Sequence, residues 1–249
     1  MKAIILAAGY ATRLYPLTID KPKPLLKINK REIINYIVDS ISLLNCIDEI
    51  FVVVNNKFFE NFLIWHKNFI NNKKVKIIND KSNNENDKLG AIGDIDFVIN
   101  HKKINDDILI IAGDSYFNFD LKVFLDFFIE KKHDCVCAQE ILLQNDLKRF
   151  AVAQIDNNNL LLNLEEKPKN PKSNLAVYAC YIYAKSTVKL IKKYLKENNC
   201  SDAPGYFLEW LYKIKKVYIH KIDKSFKFYD IGTIESYNKL NKKLEKHIY

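Results

Sequence analysis

Short apolar runs alternate with stretches of helical period through the first half of the chain. Ala3–Ala8 is continuously apolar, Glu32–Leu44 places Ile33, Ile34, Ile37, Val38, Ile41 and Leu44 on one stripe, and Ile50–Val54 is apolar again. A short unbroken apolar run fits a strand buried on both faces, whereas apolar residues recurring every three or four positions fit a helix with one buried face. The alternation continues with a helix over Phe58–Phe69, a strand at Val75–Ile78, a helix from Ala91 to Asn100 and a strand at Ile108–Ala112. Parallel strands need such crossover helices. Residues 1–115 therefore predict a doubly wound, mostly parallel α/β sheet with its site at the C-terminal ends of the strands.

The second half is mixed. Val136–Gln139, Ala151–Ile155, Leu160–Leu164 and Val177–Tyr183 predict strands of an antiparallel or mixed extension, a smaller lobe on the same sheet. Helices are expected over Thr187–Glu197, Pro204–Tyr212 and Ile234–Lys246, a turn at Lys167–Pro171, and a loop through the asparagine-rich stretch Ser82–Asp87. No internal repeat or long linker divides the chain. It reads as one domain with halves at about 1–115 and 116–249.

At 249 residues and 48% hydrophobic content the chain can bury a core large enough for an enclosed site. Lys and Arg number 39 against 30 Asp and Glu, a net charge of +9. The basic residues are interleaved with acids and asparagines, without an Arg-rich block or a basic amphipathic helix. That distribution argues against nucleic acid and a membrane surface and leaves a small polyanion as the partner. Five irregularly spaced cysteines do not make a disulfide framework, which points to a reducing, cytoplasmic setting. Cys135 and Cys137 alternate along an apolar run and so share one face of a strand. The N-terminal apolar run is too short to span a bilayer.

Chemistry-bearing residues gather after the predicted strands. In A-A-G-Y-A-T-R-L, Gly9–Arg13 would turn the chain across the sheet edge, where backbone N–H groups can face an anion, with Arg13 and Lys23 as nearby cations. The same loop reads equally as an ordinary strand-to-helix connection with a solvated arginine. Asp114 follows the run I-L-I-I-A-G and Asp230 ends F-Y-D, positions suited to holding a metal or to capping a helix. Gly9 is expected to carry the tight turn, and Ala11 to sit in an ordinary conformation with its amide free.

In this order, L-A-A-G-Y-A-T-R-L-Y-P-L-T, K-P-K-P-L-L, A-G-D, L-E-E-K-P-K-N-P-K-S-N and Y-D-I-G-T-I-E-S-Y resemble the sugar-phosphate nucleotidyltransferases, most closely the glucose-1-phosphate thymidylyltransferase-like branch. The resemblance implies a Rossmann-like nucleotidyltransferase fold and a Mg²⁺-dependent reaction of an NTP, UTP or dTTP, with a sugar 1-phosphate to give an NDP-sugar and pyrophosphate. By position, Leu6, Ala8, Gly9, Ala11 and Thr12 would line the nucleotide and Arg13 and Lys23 would hold its phosphates. Asn79 and Gly90 would meet the base and ribose, Asp114 and Asp230 the metal, and Glu166 and Lys167 the sugar phosphate. Arg13, Lys23 and Lys167 would carry the catalysis. A homo-oligomer is compatible with the family. Ala11, Ala151 and Ala179 stand where relatives carry glycine, Tyr178 where threonine is common, and Asn79 where thymidylyltransferases have glutamine. Ala151, Tyr178 and Ala179 are thereby expected to reshape the acceptor pocket. The chain lacks the C-terminal helical extension that carries an allosteric site in some relatives, so no such regulation is expected. Two alternatives remain beside this reading. One is a CTP-dependent cytidylyltransferase acting on a non-sugar phosphate such as phosphocholine, with Tyr178 in an aromatic cage; the other is a non-catalytic nucleotide or sugar sensor.

Overall fold

The computed structural model describes residues 1–69, 71 and 73–245; the predicted helix end at Lys246 lies outside them. In chain order the elements begin with β1 (Lys2–Leu6), β2 (Lys27–Ile28), β3 (Arg31–Glu32), α1 (Ile33–Ser42), β4 (Glu49–Val54), α2 (Phe59–Asn68) and β5 (Lys74–Asn79). They continue with α3 (Gly90–Lys102), β6 (Ile108–Ala112), β7 (Ser115–Phe117), α4 (Leu121–Lys131), β8 (Asp134–Glu140), α5 (Gln144–Leu147), β9 (Ala151–Ile155) and β10 (Leu161–Glu166). The last are β11 (Leu175–Tyr183), α6 (Lys185–Lys196), α7 (Pro204–Leu211), β12 (Val217–Lys221), β13 (Phe228–Asp230) and α8 (Ile234–Glu245).

Nine strands form one sheet with the path β10-β9-β11-β6-β1-β4-β5, and β8 and β12 branch from β11. β6, β1, β4 and β5 are parallel and are joined through α1, α2 and α3. β11 runs antiparallel to β6, β8 and β9, which makes the extension mixed as its alternating segments predict. Apolar layers cover both sheet faces. Ile5, Val52 and Ile111 face one with α1, and Ile4, Val53 and Ile110 face the other with α3. Cys135 and Cys137 lie on the same face, with Cys180, in the first layer.

The site follows from how β11 changes partners. Its end, Cys180–Tyr183, pairs with β6, while its start, Leu175–Val177, pairs with β9. Between them, at Tyr178–Ala179, the two strands separate. A cleft opens there, beyond the C-terminal ends of β1 and β6.

Several elements lie outside the sequence expectation. α4 buries Leu121, Phe124, Leu125 and Phe128, a stripe of helical period that the apolar but exposed Val123 and Ile129 obscure. β2, β3, β7 and β13 are too short to display a period. β12 exists through parallel pairing with β8, a partner distant in sequence.

Candidate active site

A cleft of about 770 Å³ crosses the strand ends. Leu6 at the end of β1 and Ala112 at the end of β6 are register partners and form its floor. The Gly113 N–H donates to the Leu6 carbonyl at 2.8 Å, holding the chain against the sheet edge just before Asp114. The Lys23 ammonium, in a buried turn at Lys23–Leu25, donates to Asp114 Oδ2 at 2.5 Å. Lys23 is 7% exposed, so its charge is directed at this carboxylate and the cleft beside it. β13 pairs with β7 so that the Asp230 backbone is opposite Ser115, one residue from Asp114. The Asp230 side chain lies outside what the structure describes.

Gly9, Ala11, Thr12 and Arg13 line the same cleft. The backbone there corrects the expectation. Ala11 is left-handed, at φ 50° and ψ 39°, whereas Gly9 is outside that region. Its carbonyl accepts hydrogen bonds from Leu14 N–H at 3.0 Å and from the buried Thr18 hydroxyl at 2.8 Å. These two bonds from Leu14 and Thr18 to the Ala11 carbonyl lock a conformation that costs an L-residue roughly 1–2 kcal/mol. Gly9 faces open space instead.

Across the cleft, the ends of three antiparallel strands meet. Ala151 is opposite both Glu166 of β10 and Val177 of β11. The Glu166 carboxylate is 6% exposed and has Lys167 Nζ at 3.5 Å. Burial raises its pKa above the usual glutamate range, more than Lys167 lowers it. Lys167 follows in a left-handed conformation, φ 49°, with its N–H on the Phe150 carbonyl. Ala151, Glu166, Lys167, Tyr178 and Ala179 all line the cleft. The Tyr178 ring is held tightly in that wall. It is 4% exposed, stacks on Phe228 at 3.9 Å, meets Phe150 edge-on and donates its hydroxyl to Gln139.

Three predicted nucleotide contacts are not among the lining residues. The Ala8 carbonyl accepts from Asn55. Asn79 ends β5, where its amide donates to Asn56 and accepts from the Lys81 N–H. Gly90 opens α3 at φ +78°, and a Cβ there would lie 2.6 Å from the Ser201 carbonyl oxygen, so packing accounts for this glycine.

The cleft also contains residues the motifs did not disclose. Lys148, Arg149 and Phe150 precede β9; the basic pair directly before a strand was the available signal. Glu85, Lys88 and Asp202 form a bridge, with Lys88 Nζ 2.7 Å from Glu85 and 2.8 Å from Asp202. The ammonium lowers the Asp202 pKa, and the two acids raise that of Lys88. Gly205 completes the wall beside Glu166.

Residues 2–247 match the family model described as "Nucleotidyl transferase". The chain belongs to this family. The chain is 33% identical over 194 residues to the "Bifunctional protein GlmU" of Methanocaldococcus jannaschii, covering 78% of this chain and 42% of that protein. It is 31% identical over 140 residues to a glucose-1-phosphate adenylyltransferase of Lachnospira eligens, over 55% of this chain and 32% of that one. The chain thus spans less than half the length of these two relatives. Among solved structures, a Bacillus anthracis protein assigned as a glucose-1-phosphate thymidylyltransferase, solved in complex with a sucrose, superposes with a TM-score of 0.82. It is 25% identical, over 100% of this chain and 96% of that one. An apo UDP-glucose pyrophosphorylase shares the fold, with a TM-score of 0.79 at 19% identity over 98% of each chain. No described helix is long and apolar enough to cross a membrane.

Proposed function

We propose that this nucleotidyl transferase joins an NTP to a sugar 1-phosphate, giving an NDP-sugar and pyrophosphate. One observation carries the reading: a single cleft holds the 9–13 loop and the Lys23–Asp114 pair on one side and Glu166 and Lys167 on the other. That spacing suits two phosphorylated substrates meeting end to end. A phosphate oxygen of the acceptor attacks the α-phosphorus, a new P–O bond forms, and the bond from the α-phosphorus to the bridging oxygen of the leaving pyrophosphate breaks. The attacking oxygen is already anionic, so no side chain has to remove a proton. Arg13 and Lys23 hold the departing phosphates, and Lys167 holds the acceptor phosphate in line. Glu166 accepts hydrogen bonds from acceptor hydroxyls.

The donor set fits Mg²⁺, which is commonly held by one or two carboxylates together with substrate phosphates. Asp114 already takes a cationic partner, its carboxylate is partly open to the cleft, and Asp230 is adjacent in the backbone ladder. Bound there, Mg²⁺ would neutralise phosphate charge. UTP or dTTP is the favoured donor, in line with the thymidylyltransferase assignment of the structural relative. A choline-type acceptor is the less supported reading, because Tyr178 is 4% exposed and stacked on Phe228, which leaves little of its ring for a quaternary amine. Pyrophosphate release over a panel of NTPs and sugar 1-phosphates with Mg²⁺ tests the proposal. Release with one donor and acceptor pair supports it, and no release across the panel refutes it.

A further inference from the structure

Gly205 is the second residue of α7, and its backbone does not call for glycine. It is absent from the positive-φ residues, and within a helix glycine is less favourable than alanine. What excludes a side chain is Glu166. A Cβ at position 205 would lie 1.7 Å from Glu166 Oε2, 2.8 Å from its Cδ and 3.3 Å from the Ala151 methyl.

The helix start cannot retreat to make room. Ser201 and Asp202, just before α7, are fastened to the opening of α3: the Ile92 N–H donates to the Ser201 carbonyl at 2.9 Å and the Ala91 N–H to the Asp202 carbonyl at 3.4 Å. Lys88 adds its ion pair to the Asp202 carboxylate at 2.8 Å. On the sheet side, Ala151 is fixed between Glu166 and Val177 by the strand register. The Glu166 carboxylate therefore lies in a slot bounded by Ala151 and Gly205, with Lys167 at its mouth. Any added carbon at 205 must displace the carboxylate rather than the walls.

We propose that Gly205 is a positioning residue, whose missing side chain holds the Glu166 carboxylate at the acceptor end of the cleft. The inference rests on the acceptor role given to Glu166 under the proposed function. In Gly205→Ala the carboxylate swings out of the slot. The KM for the sugar phosphate rises about tenfold or more, the scale on which small misplacements of positioning groups act. The KM for the NTP and the melting temperature stay near wild type. Aspartate is one methylene shorter, about 1.5 Å, and clears the added methyl. The double variant Gly205→Ala, Glu166→Asp therefore recovers acceptor affinity relative to Gly205→Ala alone.

The experiment combines steady-state kinetics of these variants with an NMR titration of the Glu166 side-chain carboxyl in wild type and Gly205→Ala. The expected result is the KM rise, the rescue by Glu166→Asp, and a Glu166 titration midpoint that falls toward the ordinary glutamate value once the group leaves the slot. A wild-type midpoint retained in Gly205→Ala overturns the inference, as does a double variant whose loss is the product of the single losses. Should the wild-type protein release no pyrophosphate with any substrate pair, the functional reading fails, and the titration still decides whether Gly205 positions the carboxylate.

Discussion

Replacing Asp94 by asparagine removes a buried proton-binding site and should change how stability depends on pH. Asp94 lies in the first turns of α3, is 6% exposed, and has one carboxyl oxygen without a hydrogen-bond partner. It faces Asp80 at the end of β5, whose carboxylate also accepts from the Ser82 N–H and hydroxyl, with Asp87 near Asp80. Burial, and then the charge of Asp80, push the Asp94 carboxyl from its usual 3.8 up to about 8. Desolvation raises Asp80 as well, so the two acids share a proton through the neutral range. In the unfolded chain that proton is lost near pH 4. Between those limits the folded state binds more protons than the unfolded one, so stability is full below about pH 4 and falls as pH rises toward 8. At ~1.4 kcal/mol per pH unit the loss has an upper bound of roughly 5–6 kcal/mol, which water reaching the ionised pair reduces to a few. An asparagine amide can donate to Asp80 as the protonated acid does and does not ionise. Urea denaturation of wild type and Asp94→Asn at matched ionic strength from pH 5 to 9 provides the comparison. The variant should gain on wild type steadily up to pH 8, and parallel profiles would refute the shared proton.

Other consequences concern the phosphate side of the cleft. Lys23→Ala and Asp114→Asn should each lower turnover by ~10³ or more, as loss of charge-stabilising groups does in other phosphoryl transfers, with folded structure retained by circular dichroism. Near-normal turnover in either would remove that residue from the mechanism. Ala11→Gly should leave NTP affinity and melting temperature close to wild type, because relief of the left-handed backbone offsets the added freedom of the unfolded chain. Ala11→Val should weaken NTP binding about tenfold or more, since a β-branched residue resists that conformation; equal behaviour of the two variants would show that the turn at Ala11 does not matter.

How much of this could be read from the sequence depended on whether a feature is local. The strands and helices of the first half were legible because their burial is periodic, Asp114 because a charge directly beyond a buried strand marks the functional edge, and Lys23 only as a cation of the K-P-K-P-L-L segment. α4 was not, although Leu121, Phe124, Leu125 and Phe128 form a stripe, because the apolar Val123, Phe127 and Ile129 among them blur its period. The conformation of Ala11 was misread. It is set by hydrogen bonds from Leu14 and Thr18, and a loop motif shows only which residue is small. Lys88 with Asp202, and Gly205 with Glu166, were missed because each contact joins segments that meet only once α3 and α7 have docked. The acceptor end shows the same limit. Tyr178 lines the cleft as its position suggests, but its stacking on Phe228 joins segments distant in sequence and could not be read.

Transfer of the α-phosphorus itself tests the central claim most directly. The protein would be incubated with Mg²⁺, a sugar 1-phosphate and an NTP labelled at the α-phosphate, and the products separated. The account predicts the label in the NDP-sugar, with unlabelled pyrophosphate released in equal amount. Label found only in free nucleoside monophosphate, or remaining in the NTP with every acceptor offered, would contradict it.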